Sequence, residues 1–113
     1  MEATATIKYV RTTPRKARLV ADEVRGKKVS SALPLLEYGI KREVARDIAK
    51  LVKSAIANVQ NKNTDTSVNV EELRIKAIRV DEGPVLKRSR ARAQGRVGRI
   101  LKYQCHICVT ISN

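Results

Sequence analysis

The chain has 113 residues, 42% of them hydrophobic and 3% aromatic, and it carries a formal net charge of +13. The length fits a single domain spanning 1–113 with a modest core, and the hydrophobic share is too high for a disordered chain. No apolar run approaches the roughly 18–20 residues that cross a bilayer, and two cysteines make no disulfide framework, so we expect a soluble intracellular protein whose charge attracts a polyanion.

The first predicted element is a helix between Thr13 and Gly26. Thr13 is the predicted N-cap, Pro14 fits the first helical position, and Gly26 fits the position just past the end. Polar residues, including Arg15 and Arg18, fall on one side. The opposite side carries an apolar stripe at helical spacing. Its members are Ala17, Val20, Ala21 and Val24.

Two further helices are predicted before a break in the pattern. The segment SSALPLLEYG (30–39) indicates a short helical turn capped by Ser30 or Ser31, with Pro34 tolerated only near its start. Residues 41–62 give the strongest helix pattern, and 61–67 then bring turn-forming residues. The long helix has an apolar stripe held over four turns. That stripe consists of Val44, Ile48, Leu51, Val52, Ala55, Ile56 and Val59.

The second half of the chain carries alternating patterns typical of strands. One is formed by Leu73, Ile75 and Ala77, and another lies near the C-terminus. Each strand should bury one face, and the two should pair antiparallel under the helices. We therefore predict an α+β fold with about three helices on a small antiparallel sheet. The C-terminal pattern is Ile107, Val109 and Ile111.

Between these strands lies a basic segment that cannot form a core. Residues 83–104 contain seven basic side chains and no acid. The segment predicts a long protruding β-hairpin over about 80–104 with its turn near 92–95, leaving a globular body of about 1–79 and 105–113. Arms of about ten residues would reach roughly 33 Å. An isolated two-stranded ribbon is marginal in water, so phosphate backbone is the expected partner that orders it.

Four segments resemble the family of large ribosomal subunit protein twenty-two. They are TPRKARLVADEVRGK (13–27), VDEGPVLKR (80–88), RAQGR (92–96) and HI (106–107), in the same order over nearly the whole chain. The resemblance implies a structural protein that binds large-subunit ribosomal RNA (rRNA) and supports subunit assembly. It also implies a hairpin that lines the nascent-peptide exit tunnel, with a tip at a constriction shared with large-subunit protein four.

The same resemblance implies the partners and the location. The chain would act as a monomer within the ribosome, contacting rRNA, neighbouring large-subunit proteins and the nascent peptide. No cofactor and no membrane are expected. The ribosome would be cytoplasmic, with an organellar one left open. The chain departs from the family at Ala91, usually proline, at Gln94, usually basic, and at Val97, usually alanine. Without the proline, the tip is expected to be less rigid.

The predicted RNA-binding residues fall into three basic groups. Because aromatics are scarce, we expect recognition of RNA shape and phosphate rather than base stacking on an aromatic platform. The first two groups are Arg11, Arg15, Lys16 and Arg18, and then Arg25, Lys27 and Lys28. The third group is Lys87, Arg88, Arg96, Arg99 and Lys102, with His106 beside it. By resemblance, the tunnel-facing tip is Ser89, Arg90, Ala91, Arg92, Ala93, Gln94 and Gly95.

Two motifs resemble a zinc site and the carboxylates of a nuclease, but neither has the residues that such a site requires. The CHIC segment offers Cys105, His106 and Cys108, one ligand short of a structural zinc site. In a strand the two cysteines would face opposite ways, so we expect Cys105 to pack as a small hydrophobe. Asp81 and Glu82 diverge along a strand without a third acid, which argues against a metal-dependent nuclease. We predict no catalytic residue, no metal and no enzyme.

A DNA-architectural protein with basic β-arms is the main alternative to the ribosomal interpretation. Such arms insert into and bend a duplex, and they usually come from a homodimer. The apolar stripe of the helix at 41–62 is expected to be covered by the chain's own sheet, which leaves little surface for a dimer interface. The ribosomal interpretation is therefore preferred.

Overall fold

The computed structural model describes residues 2–39, 42–62 and 69–113. Within these residues the chain forms five strands and three helices, with short 3-10 turns at Val70–Glu72 and Ala93–Gly95. The elements in chain order are β1 (Glu2–Val10), α1 (Pro14–Val24), α2 (Val29–Glu37), α3 (Arg42–Lys62), β2 (Arg74–Glu82), β3 (Leu86–Ala91), β4 (Val97–Lys102) and β5 (Cys105–Ser112). The α+β class predicted from the sequence is confirmed.

The main sheet has the order β1-β5-β2, with both pairs antiparallel. The predicted pairing of the two alternating segments is confirmed, because β2 runs along β5 from Arg74↔Ser112 to Glu82↔Cys105. Ile107, Val109 and Ile111 are fully buried. The central strand β5 therefore carries the middle of the core.

Strand β1 was not predicted from the sequence. Its inward-facing positions begin with Ala3 and Ala5, and both are buried against the core. Alanine is depleted in strands and is only weakly hydrophobic, so its alternation with threonine gives little signal. The strand pairs with β5 from Glu2↔Ser112, and a register shift between Ile7 and Val10 interrupts the ladder near its end.

Strand β2 differs from the predicted alternation. Leu73 is buried but precedes the strand, and Ala77 is exposed rather than buried. The cause is a register shift between Ile75 and Ala77, which moves the inward face by one residue. Ile78 and Val80 take the core positions instead.

Helices α1 and α3 follow the sequence prediction closely. The Thr13 hydroxyl accepts a hydrogen bond from the Lys16 N–H, and Gly26 has φ +79° just past the end of α1. The predicted stripe of α1 is buried, and so is that of α3 apart from half-buried Ile56. The predicted start of α3 at 41 and most of the predicted break, 63–67, lie outside the described residues. No described helix is long and apolar enough to cross a membrane.

Helix α2 begins earlier than predicted. Lys28, not Ser30 or Ser31, is its N-cap, and the N–H of buried Val29 donates to the Leu73 carbonyl at 3.0 Å. Pro34 therefore lies inside the helix rather than near its start. The N–H that proline lacks would have bonded to the carbonyl of Ser30, an exposed residue, where water can replace that bond.

Strands β3 and β4 form a separate two-stranded sheet, which we call the ribbon (86–102). No residue between Val80 and Cys105, a stretch that is fully described, belongs to the buried hydrophobic core. The radius of gyration is 17.3 Å, against about 13 Å for a compact chain of this length. The six-residue strands span about 20 Å. The ribbon thus protrudes, with arms shorter than predicted because 83–85 and 103–104 belong to neither strand.

Candidate nucleic-acid interface

The ribbon has two faces of different chemistry. Its register runs from Leu86↔Lys102 to Ala91↔Val97, and directly opposite residues share a face while successive residues alternate. The arginine face is Leu86, Arg88, Arg90, Gly98, Ile100 and Lys102. The mixed face is Lys87, Ser89, Ala91, Val97, Arg99 and Leu101. Every basic side chain on the two faces is exposed.

Arg92 adds a fourth cation to the arginine face. A β-carbon at Gly98 would lie 2.7 Å from Arg92 Nε and 2.8 Å from its Cγ. The Arg92 side chain therefore lies across the ribbon at Gly98, in space that any other residue would fill. The arginine face then presents Arg88, Arg90, Arg92 and Lys102, twice the positive charge of the mixed face.

The tip of the ribbon is a tight two-residue turn. Gln94 has φ 61° and ψ 30°, Gly95 has φ +72°, and the Arg96 N–H donates to the Ala93 carbonyl at 3.5 Å. Positive φ at both central residues defines a type I′ turn, whose twist matches that of paired strands. The turn predicted near 92–95 is confirmed. Glycine suits this backbone, whereas Gln94 holds it at a steric cost.

Where the ribbon joins the body, the backbone at Gly83 lies close to the backbone at Gln104. The Gly83 N–H donates to the Gln104 carbonyl at 2.9 Å, and a β-carbon at Gly83 would meet Gln104 atoms at 3.3 Å. Gln104 is buried at 9% exposure. The ribbon is therefore connected to the body through a tight junction rather than through a loose linker.

The first basic group is split by its contacts. Arg11, Arg15 and Lys16 are exposed around the start of α1. Arg18 instead donates from Nη2 to the Val80 carbonyl of β2 at 3.1 Å. A guanidinium has five donors, so Arg18 retains capacity for phosphate while it fastens α1 to the sheet.

The second basic group surrounds the connection between α1 and α2. Arg25 donates to the Ile78 carbonyl at 3.0 Å and pairs with Asp22, so it also fastens α1 to β2. Lys27 and Lys28 are exposed, and their backbone is fixed against β2, where the Ile75 N–H donates to the Lys27 carbonyl at 3.0 Å. Both lysines therefore extend from a rigid connection.

His106 has an internal partner that the sequence did not indicate. Its Nδ1 accepts the Tyr9 N–H at 3.1 Å, and the two rings meet edge to face with centroids 5.0 Å apart. Tyr9 has φ 61° at the irregular end of β1. His106 thus stabilises an unusual backbone turn, and the predicted RNA contact by its side chain competes with that role.

The two cysteines face opposite sides of β5, as predicted. Cys105 is buried and Cys108 is half-buried, and both are free thiols. Burial raises the pKa of the Cys105 thiol, the negative charge of Asp47 raises it further, and Arg18 lowers it in part. Within the described residues no group of three histidine, cysteine or acidic side chains is placed to hold a metal ion. Cys105 packs as part of the core.

Known proteins are similar to this sequence along nearly its full length. The profile of the family described as "Ribosomal protein L22p/L17e" matches residues 5–112. The large ribosomal subunit protein uL22 of Syntrophus aciditrophicus (strain SB) is 51% identical over 112 residues, covering 98% of this chain and 97% of its own. The large ribosomal subunit protein uL22 of Syntrophobacter fumaroxidans (strain DSM 10017 / MPOB) is 49% identical over 112 residues, covering 99% and 98%.

Proposed function

This chain belongs to the ribosomal protein L22p/L17e family, and we propose from that premise that it grips large-subunit rRNA with the arginine face of its ribbon. As a family member it is a structural, non-enzymatic constituent of the large ribosomal subunit in the cytoplasm. Membership decides against the DNA-architectural alternative.

The observation that carries this proposal is the concentration of charge where there is no core. The ribbon and its junctions hold seven basic side chains without an acid, and none of the apolar residues there is fully buried. Mutual repulsion of these charges disfavours the ribbon in isolation, whereas neutralisation by phosphates and release of their counterions favours it in a complex. Arginine also binds phosphate through two parallel hydrogen bonds.

The body supplies the other rRNA contacts in this proposal. Arg11, Arg15 and Lys16 form one exposed patch at the start of α1, and Lys27 and Lys28 form another at the connection to α2. Binding at both patches and along the ribbon fixes the orientation of the chain as a monomer on folded RNA. Such multiple contacts explain how one small protein supports subunit assembly.

The tip of the ribbon is proposed to reach the nascent-peptide exit tunnel. This step rests on the family resemblance together with the protruding ribbon and its exposed type I′ turn. The turn residues Ala93, Gln94 and Gly95 would face the nascent peptide and lie near large-subunit protein four. The mixed face, with Val97 71% exposed, suits a neighbour that is less charged than phosphate backbone.

Filter-binding salt titrations with purified large-subunit rRNA test whether the ribbon binds rRNA. Replacing Lys87, Arg88, Arg90, Arg92 and Arg96 with glutamine should weaken binding. The slope of log affinity against log salt should fall by roughly 0.7–0.9 for each phosphate that is no longer neutralised. Circular dichroism controls for the fold. Unchanged affinity and slope would show that the ribbon does not contribute to rRNA binding.

A further inference from the structure

All three tyrosines of this protein lie at the surface. Aromatic side chains normally supply large buried area in a core, yet among the described residues the core consists of aliphatic side chains and one cysteine. Tyr9 is 59% exposed, Tyr38 84% and Tyr103 43%. Tyr9 is engaged by His106, and Tyr103 belongs to the ribbon junction. Tyr38, at the C-terminal end of α2, has no part in the interfaces described above.

Tyr38 lines a cleft between the end of α2 and the middle of α3. The cleft has a volume of about 410 Å³, within the range of sites that hold a small ligand. Glu37 and Tyr38 line it from the α2 side, and Arg46, Lys50 and Lys53 line it from α3. None of its lining residues belongs to the ribbon or to the two patches around α1.

The three cations of the cleft form one stripe along α3. Arg46, Lys50 and Lys53 recur at i, i+4 and i+7, which places them on one helix face over about 10.5 Å of axis. All three are exposed, and within the described residues none has an ion pair or a side-chain hydrogen bond. Glu37 is the one acid among the described lining residues. Like charges so spaced repel each other, and a bound polyanion would relieve that repulsion.

We propose that this cleft binds single-stranded RNA, with a base stacked on Tyr38 and the adjoining phosphates on Arg46, Lys50 and Lys53. The proposal deepens the proposed rRNA-binding function, on which it rests, by adding a contact of a different kind. The ribbon and the α1 patches have no aromatic side chain, whereas the cleft joins charge to an exposed aromatic ring. That pairing is the usual means of binding unpaired nucleotides.

The same features favour RNA over an acidic protein surface. An acidic peptide would use the three cations but would leave the exposed ring of Tyr38 without a partner. A nucleotide uses both, and the carboxylate of Glu37 offers an acceptor for a ribose 2′-hydroxyl. The ring and the stripe line a single cleft, so one short strand reaches both.

The test uses the full chain carrying the five glutamine substitutions in the ribbon, which lower binding there so that differences among cleft variants can be measured against a smaller background. The probe is a fluorescently labelled hexaadenylate RNA, followed by anisotropy at low salt. Tyr38→Ala should weaken binding by about 5- to 150-fold, the effect of removing one stacked base. Tyr38→Phe keeps the ring and should bind like its parent.

Two double variants that remove the same charge, one inside the cleft and one outside it, show whether RNA binds at the cleft or to basic residues in general. Lys50→Gln with Lys53→Gln should lower the log–log salt slope by roughly 0.7 for each phosphate of the single strand that is no longer neutralised. Lys8→Gln with Lys62→Gln removes the same charge from exposed positions outside the cleft and should change the slope much less. An equal fall in slope for the two variants would overturn the proposal.

Two further outcomes also overturn it. Polyglutamate that competes with hexaadenylate at equal charge would assign the cleft to an acidic protein, and Tyr38→Ala without effect would exclude stacking. Ultraviolet crosslinking of purified large subunits provides the assembled test, with an rRNA crosslink expected at Tyr38. Five of the seven basic side chains of the ribbon and its junctions are already removed in the binding assay, so these failures leave the proposed function of the ribbon standing.

Discussion

The body and the ribbon differ in the interactions that stabilise them. In the body, helices α1 and α3 lay continuous apolar stripes on a three-stranded sheet, and β5 is buried along one whole face. In the ribbon, backbone pairing and one tight turn define the shape, while nearly every side chain is exposed. A core supplies the free energy of folding for the body. A two-stranded ribbon without a core is marginal in water, and under the proposed function rRNA stabilises it, so damage to the two regions should produce different defects.

The largest expected difference is in the free energy of unfolding. Ile48→Ala removes a fully buried side chain and should cost about 2–5 kcal/mol. The five glutamine substitutions in the ribbon should change the same quantity by less than about 0.5 kcal/mol, as exposed substitutions do. Urea titrations monitored by circular dichroism measure both. Ribbon variants that unfold as easily as Ile48→Ala would refute the distinction between the regions.

Local protection from hydrogen exchange should show the same division within one molecule. Amides of the ribbon should exchange quickly in the free chain, and trypsin should cleave there first, because no core supports the ribbon. Amides of α3 should be protected close to the global limit. Addition of large-subunit rRNA should slow exchange in the ribbon and leave α3 unchanged. A ribbon equally protected with and without RNA would mean that it needs no partner.

If the arginine face binds rRNA as proposed, the two faces of the ribbon should contribute unequally to the affinity. Arg88→Gln with Arg90→Gln and Lys87→Gln with Arg99→Gln each remove two charges, from the arginine face and the mixed face respectively. The first variant should lower the salt slope for rRNA by roughly 1.4–1.8, or 0.7–0.9 for each phosphate. The second should lower it by less than half as much. Equal slopes would show that the ribbon is surrounded by RNA rather than gripped on one side.

The sequence predicted the parts of the fold that depend on long apolar patterns and on charge. The stripe of α3 and the alternation of β5 are strong periodic signals, and seven basic residues without an acid identify the ribbon. Strand β1 was missed because alanine at its inward positions hardly differs from polar threonine in pattern. The register shift in β2 was missed because a bulge is set by pairing with the neighbouring strand.

The candidate site was predicted by residue type but not by contact. Arg18 and Arg25 look like phosphate ligands in sequence, and only the folded chain brings the β2 carbonyls of Val80 and Ile78 to them. The basic stripe of α3 was missed because its residues look like ordinary surface residues in the sequence. Cations on the polar face of an amphipathic helix are usually just solvated, and the cleft beside Tyr38 exists only after α2 packs against α3.

Substitutions at Arg18 and Arg15 show whether each arginine mainly stabilises the body or mainly binds rRNA. Arg18→Gln removes a charged hydrogen bond to the Val80 carbonyl and should lower the free energy of unfolding by about 1 kcal/mol. Arg15→Gln, an exposed neighbour on the same helix, should have no measurable effect on unfolding. In rRNA binding Arg15→Gln should have the larger effect. If Arg15→Gln destabilised the chain more than Arg18→Gln, the contact of Arg18 with Val80 would not stabilise the body. If Arg18→Gln weakened rRNA binding more than Arg15→Gln, Arg18 would belong to the binding surface as well as to the body.

The smallest expected effect concerns the pH dependence of the body, through Cys105. Because burial raises the pKa of this thiol in the folded chain, the folded state keeps the proton over a pH range in which the unfolded chain has released it. The resulting stability is fully present below about pH 8.5, the ordinary thiol value, and declines as pH rises through the folded pKa. The ribbon has no cysteine and should contribute nothing to this term.

Comparing unfolding free energies of the parent chain and Cys105→Ala at pH 7 and pH 10 isolates that term, since the two proteins differ only at this residue. The advantage of the parent over the variant should shrink at pH 10, by at most about 1.4 kcal/mol for each pH unit beyond the ordinary thiol pKa. Cys108→Ala is the matched control for the loss of one thiol from the same strand, because Cys108 lies on the opposite, partly open face of β5. Iodoacetamide should likewise modify Cys108 in the folded chain well before Cys105, because only the thiolate attacks and burial keeps Cys105 protonated. A parent advantage that grew with pH would require a thiolate stabilised by Arg18, and Cys105 would then have to be treated as a reactive group rather than as part of the core.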